Sequence, residues 1–142
     1  MRKKGFTLIE LLVVIAIIGL LSTLAVVALN SARLKARDAK RVADVKQIQT
    51  ALELYFNDQS AYPSEGAAAV LGASATKCLG TIGFSSAGCA DAYMGLIPVD
   101  PLPAQSYTYV GDNTTYSLIF SLEGPVGGLG LGVHTADQNG LQ

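Results

Sequence analysis

From Leu11 to Leu29 the chain carries no charged side chain and no proline. At about 1.5 Å per helical residue this run spans roughly 28 Å, close to the hydrocarbon thickness of a bilayer. Three cations, Arg2, Lys3 and Lys4, stand immediately before it, and one carboxylate, Glu10, sits in its first turns. An isolated acid is costly in lipid, so Glu10 is a functional-site candidate on physical grounds alone. The 142 residues leave room for one small domain beside such an anchor.

An ordinary secretory signal has basic, apolar and small-residue parts in that order, with cleavage after the apolar part. Here the obvious small residue, Gly5, comes before the apolar part, and Thr23-Leu24-Ala25 matches an ordinary cleavage site only weakly. A carboxylate such as Glu10 is also out of place in a disposable apolar segment.

The stretch Lys4-Gly5-Phe6-Thr7-Leu8-Ile9-Glu10-Leu11-Leu12-Val13-Val14-Ile15-Ala16-Ile17-Ile18-Gly19 resembles the N-terminal signature of type IV pilins and of the pseudopilins of type II secretion. The resemblance implies that a prepilin peptidase cuts between Gly5 and Phe6 and N-methylates the new terminus at Phe6. It also implies that Glu10 serves subunit assembly. The freed amine of Phe6 is then a cation, and Glu10 is placed to meet the amine of an axially shifted neighbour. In a low-dielectric filament core such a pair favours one register and disfavours unpaired placements. The competing account of Glu10 is a carboxylate favoured by the helix dipole near an N-terminus. Cutting after Gly5 removes three cations and leaves seven basic against eleven acidic side chains, a balance of −4 that argues against nucleic acid as partner.

The helix is expected to continue past Leu29. No proline occurs before Pro63, and Gly19 is the only glycine between Phe6 and Pro63. Val42, Val45, Ile48, Leu52 and Tyr55 recur at three- and four-residue steps and so share a face. Phe6 to about Phe56 therefore reads as one helix on the order of 75 Å long. Its first half is apolar all round, and its second half is amphipathic and must lean on a separate domain. Asp38 with Arg41 and Lys40 with Asp44 are spaced as pairs worth only tenths of a kcal/mol. Many relatives in the pilin-like family carry a proline eight residues after the glycine matching Gly19. Val27 stands there instead, which leaves Gly19 and Ser22-Thr23 as the weak points for local melting.

Arg33, Lys35, Arg37, Lys40 and Arg41 follow the apolar run, and they read as a solvated helix face with lipid phosphates as partners. Five cations after the run and three before it oppose the positive-inside rule. The leader motif and the cysteines nevertheless place the C-terminal part outside the cytoplasm. There Cys78 and Cys89 are expected to form a disulfide, worth roughly 2–3 kcal/mol for so short a loop. A metal site would need more ligands nearby.

Asn57 to Ser64 ends the helix with turn formers and Pro63. The Ala-rich stretch Glu65 to Thr76 is left open between a short helix and a loop. Leu96 to Pro103 reads as an extended, proline-stiffened approach. Tyr107 to Val110 and Tyr116 to Leu122 read as a β-hairpin turned by Gly111-Asp112-Asn113, with Leu129 to Thr135 as a third strand.

The segment Leu52 to Ser64, and Asp100-Pro101 with Tyr107, Tyr109 and Tyr116 to Leu122, resemble the major pseudopilin. That resemblance implies a structural Ca²⁺ held by the loop after the second strand. The matching stretch, Glu123-Gly124-Pro125-Val126-Gly127-Gly128, has one carboxylate, and Asp112, Asn113, Asp137 and Asn139 are the other oxygen donors. Ca²⁺ wants six to eight oxygens, so no cofactor is the primary expectation and these donors serve as turn residues.

The expected fold is α+β, a long N-terminal helix packed on a small antiparallel sheet. The expected organisation is a leader at 1–5, a membrane or filament-core half-helix at 6–29, an amphipathic half-helix at 30–57, and an extracytoplasmic region with the disulfide and strands at 58–142. Function is expected to be structural: a single-pass inner-membrane subunit, cleaved, then polymerised with copies of itself or other pilins through an inner-membrane assembly platform. The resulting filament would be a surface pilus or a type II secretion pseudopilus. A monomeric membrane-anchored binding module is the alternative from another class. No Ser/His/Asp arrangement, phosphate loop or metal-ligand spacing suggests an enzyme.

Overall fold

The computed structural model describes residues 5–86 and 88–142. One helix, α1 (Leu8–Gln59), is followed by seven strands: β1 (Glu65–Val70), β2 (Cys78–Gly80), β3 (Gly83–Ser85), β4 (Thr108–Gly111), β5 (Tyr116–Leu122), β6 (Gly132–Asp137) and β7 (Gly140–Leu141). The chain divides between Lys35 and Ala36 into two units.

In the first unit, α1 runs through Gly19, Ser22 and Thr23 without interruption. The Thr23 hydroxyl donates to the Leu20 carbonyl at 2.8 Å, which satisfies it inside the apolar stretch. The large apolar side chains from Leu8 to Leu29 are all exposed, between 44% and 81%.

In the second unit, the three- and four-residue rhythm of the amphipathic half holds. Val45, Ile48, Leu52 and Tyr55 are buried and meet Tyr107, Tyr109, Tyr116, Leu118, Phe120, Leu122 and Ala136 of the sheet. Gln59 closes the helix, and Ser60 follows with φ 55°, its N–H donating to the Phe56 carbonyl at 2.7 Å. A left-handed residue there satisfies a last-turn carbonyl and turns the chain toward Tyr62-Pro63. Phe56 stacks on Tyr62 with ring centroids 4.6 Å apart.

The main sheet has the antiparallel order β1-β4-β5-β6-β7. Alternation is clean in β5: Tyr116, Leu118, Phe120 and Leu122 are buried, and Ser117, Ile119 and Ser121 are half-buried. The β4–β5 hairpin forms as the sequence predicts, turned by Asp112, whose Oδ1 accepts from the Thr114 and Thr115 N–H groups at 2.8 Å each. The third strand also forms, shifted to Gly132–Asp137. Glu65–Val70 is a strand, neither the short helix nor the loop that the sequence left open, although Ala and Gly are poor strand formers. Its pairing with β4 settles the state, with a register shift between Glu65 and Ala69. β2 and β3 form a separate two-stranded ribbon, and Cys78 at the start of β2 is disulfide-bonded to Cys89.

Candidate functional site

The N-terminal segment begins with Gly5 and Phe6 exposed ahead of the helix, Phe6 at 78%. Among the described residues no atom lies within 4 Å of a methyl group built on Gly5. Arg2, Lys3 and Lys4 of the leader lie outside the described residues. Thr7 and Glu10 then close a reciprocal cap. The Thr7 N–H and hydroxyl donate to Glu10 Oε2 at 2.8 and 2.6 Å, and the Glu10 N–H donates to Thr7 Oγ1 at 3.3 Å. This is a capping box, which satisfies first-turn donors that have no helical partner. Glu10 therefore has a structural role in the isolated subunit beside the assembly role that the signature implies. The signal was present as Thr-x-x-Glu ahead of an apolar run.

Beyond Lys35 the most concentrated chemistry is a charged cluster. Arg41 is fully buried, and three carboxylates converge on it, one from the preceding turn of α1 and two from distant parts of the chain. Its Nε and Nη2 donate to the two oxygens of Asp100 at 2.7 and 2.9 Å, a bidentate fork. Its Nη1 donates to Asp38 Oδ1 and to Glu123 Oε1, each at 2.6 Å. Arg37 grips the same Glu123 through Nε at 2.7 Å and Nη2 at 2.5 Å. The Glu123 N–H in turn donates to Asp38 Oδ1 at 3.0 Å. Hydrogen bonds from Arg37, then those from Arg41, hold the Glu123 carboxyl down at about 2. The Arg41 guanidinium is pushed further up, chiefly by its fork with Asp100.

This overturns part of the reading of the basic cluster as a solvated face. Arg33, Lys35 and Lys40 are exposed, but Arg41 is buried and Arg37 is half-buried against Glu123. The physical reason is long-range neutralisation: Asp100 and Glu123 lie 59 and 82 residues beyond Arg41, where no local spacing rule reaches. The expected i,i+3 pair of Asp38 and Arg41 and i,i+4 pair of Lys40 and Asp44 both form, at 2.6 and 3.4 Å. The former belongs to a buried network rather than to a surface.

Apart from Glu123, the oxygen donors weighed for Ca²⁺ are spread over two turns. Asp112 binds its own turn between β4 and β5, and the Asn113 carbonyl accepts from the Tyr62 N–H at 3.1 Å. Asp137 Oδ1 accepts from the Asn139 N–H at 2.7 Å in the turn between β6 and β7. Among the described residues no group of three or more His, Cys, Asp or Glu side chains is arranged to hold a metal ion.

Comparison with known proteins agrees with both halves of the chain. The family model described as "Prokaryotic N-terminal methylation motif" matches residues 1–26, and that described as "Type II secretion system (T2SS), protein G" matches residues 28–131. The type II secretion system core protein G of Escherichia coli (strain K12) is 32% identical over 133 residues, covering 91% of this chain and 86% of that protein. The proteins of the same description from Pectobacterium carotovorum subsp. carotovorum and Vibrio cholerae serotype O1 are 43% identical over 63 residues and 42% over 65. Those shorter matches cover 44% and 45% of this chain and span only 40% and 44% of the relatives' own lengths. No solved structure matches the chain.

Proposed function

We propose, from the premise that this chain belongs to the type II secretion system protein G family, that it is the structural subunit of a pseudopilus-type filament and does no catalysis. One observation carries the reading: every large apolar side chain from Leu8 to Leu29 is exposed around α1, and the one carboxylate of that segment, Glu10, stands at its start. Apolar surface of that extent needs lipid before assembly and protein afterwards. The sequence left pilus and pseudopilus open, and family membership favours the second.

The proposed course starts with a single-pass subunit in the cytoplasmic membrane, its residues beyond Lys35 outside the cytoplasm. A prepilin peptidase removes Met1–Gly5 and methylates Phe6. An inner-membrane platform then lifts the helix into a bundle of copies, and lipid contacts are exchanged for helix packing. The positive terminus of Phe6 pairs with Glu10 of a neighbour, which sets the axial register. Burying either charge alone in that bundle is expensive, so mispaired subunits are disfavoured. Nucleic acid is not a partner in this scheme, because two of the five cations clustered from Arg33 to Arg41, Arg37 and Arg41, are consumed by Glu123, Asp38 and Asp100.

The test combines N-terminal mass analysis with electron microscopy of sheared material from cells carrying the assembly machine. The expected mature chain starts at Phe6 with one added methyl group and forms filaments. Glu10→Gln keeps an acceptor oxygen for the Thr7 cap and removes the charge. It is expected to stay in the membrane, be cleaved, and give few or no filaments. Normal filament yield from this variant, or a membrane-resident monomer under conditions of active secretion, would remove the proposal.

A further inference from the structure

The loop after β5 is where the resemblance to major pseudopilins implies a bound Ca²⁺, and the residues present do not fit one. Its single carboxylate, Glu123, has both oxygens occupied by guanidinium groups, Oε1 by Arg37 and Arg41 and Oε2 by Arg37. The loop closes on itself rather than around an ion. Val126 and Leu129 exchange two backbone hydrogen bonds at 3.0 Å each across Gly127 and Gly128, which have φ 59° and 89°. Two successive left-handed residues make a tight two-residue reversal that glycine adopts without strain.

We propose that Arg41 is the structural cation of this subunit: its guanidinium, in place of a metal ion, fastens the segment 123–131 to α1, and the fold is therefore indifferent to divalent metal. Three segments meet at one side chain. Asp38 comes from α1, Asp100 from the extended approach before β4, and Glu123 from the exit of β5. Arg suits this task because its planar fork presents several N–H donors in fixed directions and stays charged at any working pH. Burial of the whole group leaves it no water to fall back on, so each carboxylate is obligatory for holding the cation. Arg37 supplies a second clamp on Glu123 from one helical turn earlier, which keeps the loop seated from two positions of α1. Neither Asp38 nor Asp100 is free to serve another ion. Asp38 also accepts from the Glu123 N–H, and Asp100 Oδ1 also accepts from the Leu102 N–H at 2.8 Å.

The test uses the full chain in detergent micelles and needs no filament, so its outcome is independent of the assembly reading. Thermal unfolding is followed by tyrosine near-ultraviolet dichroism, and hydrogen exchange is read on peptides covering 123–131, in excess EDTA and in millimolar Ca²⁺. The native protein is expected to melt at the same temperature and to protect 123–131 equally in both. Arg41→Lys keeps the charge and loses the fork. It is expected to melt roughly 5–10 °C lower, with 123–131 exchanging at least tenfold faster, and Ca²⁺ restoring neither. Glu123→Gln, nearly isosteric and at a half-buried position, tests the same link if Arg41→Lys does not fold; the same local loss is expected. A saturable rise in melting temperature of the native protein with Ca²⁺, or added protection of 123–131 by Ca²⁺, would overturn the proposal. Unchanged exchange of 123–131 in Glu123→Gln would overturn it equally.

Discussion

The hydroxyl of Tyr107 donates to the carboxylate of Asp44 at 3.0 Å inside the core of the second unit. The contact repeats in kind along the helix. Tyr62 donates to Glu53 at 3.0 Å, and Tyr93 donates to Asp58 at 3.0 Å. Three helix carboxylates are thus each met by a phenol from elsewhere in the chain. Apolar packing alone tolerates small slips between a helix and a sheet, whereas a directional bond to a charged acceptor does not. The Tyr107 bond fixes which turn of α1 meets the approach to β4, and the Tyr62 and Tyr93 bonds tie the last turns of α1 to the segments that follow it.

Tyr107→Phe removes one such donor and keeps the ring. The cost is expected at about 1.5–3 kcal/mol, the range for hydrogen bonds to charged groups. Asp44 retains Lys40 at 3.4 Å, which favours the lower end. Urea unfolding of the solubilised full chain measures it, and a variant as stable as the parent would show that the bond contributes nothing net.

Alkaline pH should unfold the second unit through its phenols. Burial pushes Tyr62 up to about 12, and its bond to Glu53 adds to the shift. Burial pushes Tyr55, Tyr107, Tyr109 and Tyr116 up as well. An unfolded phenol ionises near 10. Below that pH these groups are protonated in both states and add no pH dependence. Above it the unfolded chain releases protons that the folded chain keeps, so stability falls as pH rises from about 10 through 12. Tyrosinate absorbance is expected to appear together with loss of structure. Smooth ionisation of the folded protein near pH 10 would contradict this.

Acid acts at the other end of the scale. The Arg37 and Arg41 hydrogen bonds hold Glu123 at about 2, against an ordinary value of 4.5. Bonds from Thr114, then Thr115, hold Asp112 at about 2 against 3.8. Both stay ionised in the folded state while the unfolded chain takes up protons. Their contribution is complete above about 4.5 and is lost as pH falls toward 2. Glu123→Gln is expected to be less stable at neutral pH and to lose less stability between pH 4.5 and 2. Parallel acid-unfolding slopes for parent and variant would refute the assignment.

Replacing both Cys78 and Cys89 by Ser should lower stability by roughly 2–3 kcal/mol, since the link closes a short loop. The loop is anchored at a buried point, because Cys78 opens β2 and the adjacent Leu79 lies in the core. Unfolding midpoints with and without reductant check the magnitude, and non-reducing mass analysis of exported protein checks the link. Equal midpoints would show that the bridge is mechanically idle.

The sequence carried the long helix because its apolar positions keep one rhythm over Val45, Ile48, Leu52 and Tyr55. It carried the β4–β5 hairpin because Tyr, Val, Ile and Phe flank a turn of Gly, Asp and Asn. β1 was hidden because Gly66 to Ala69 have no strand preference of their own, and pairing with β4 decides their state. Leucine and glycine in β2 are likewise uninformative over three residues. The Thr7–Glu10 cap was legible and local. The Arg41 cluster was not, since a charge on a helix reads as solvent-facing until partners 59 and 82 residues away are known to arrive.

The register shift in β1 has a consequence for crowding. Between Glu65 and Ala69 the rim of the sheet swells outward over Gly66, Ala67 and Ala68, all exposed, and the opposite rim ends in the two-residue β7. An incoming strand meets a lump on one side and a stub on the other, so sheets of adjacent copies have no straight border along which to zip. Subunits held at high local density are thereby steered away from amyloid-like stacking, and cohesion is left to their greasy stems.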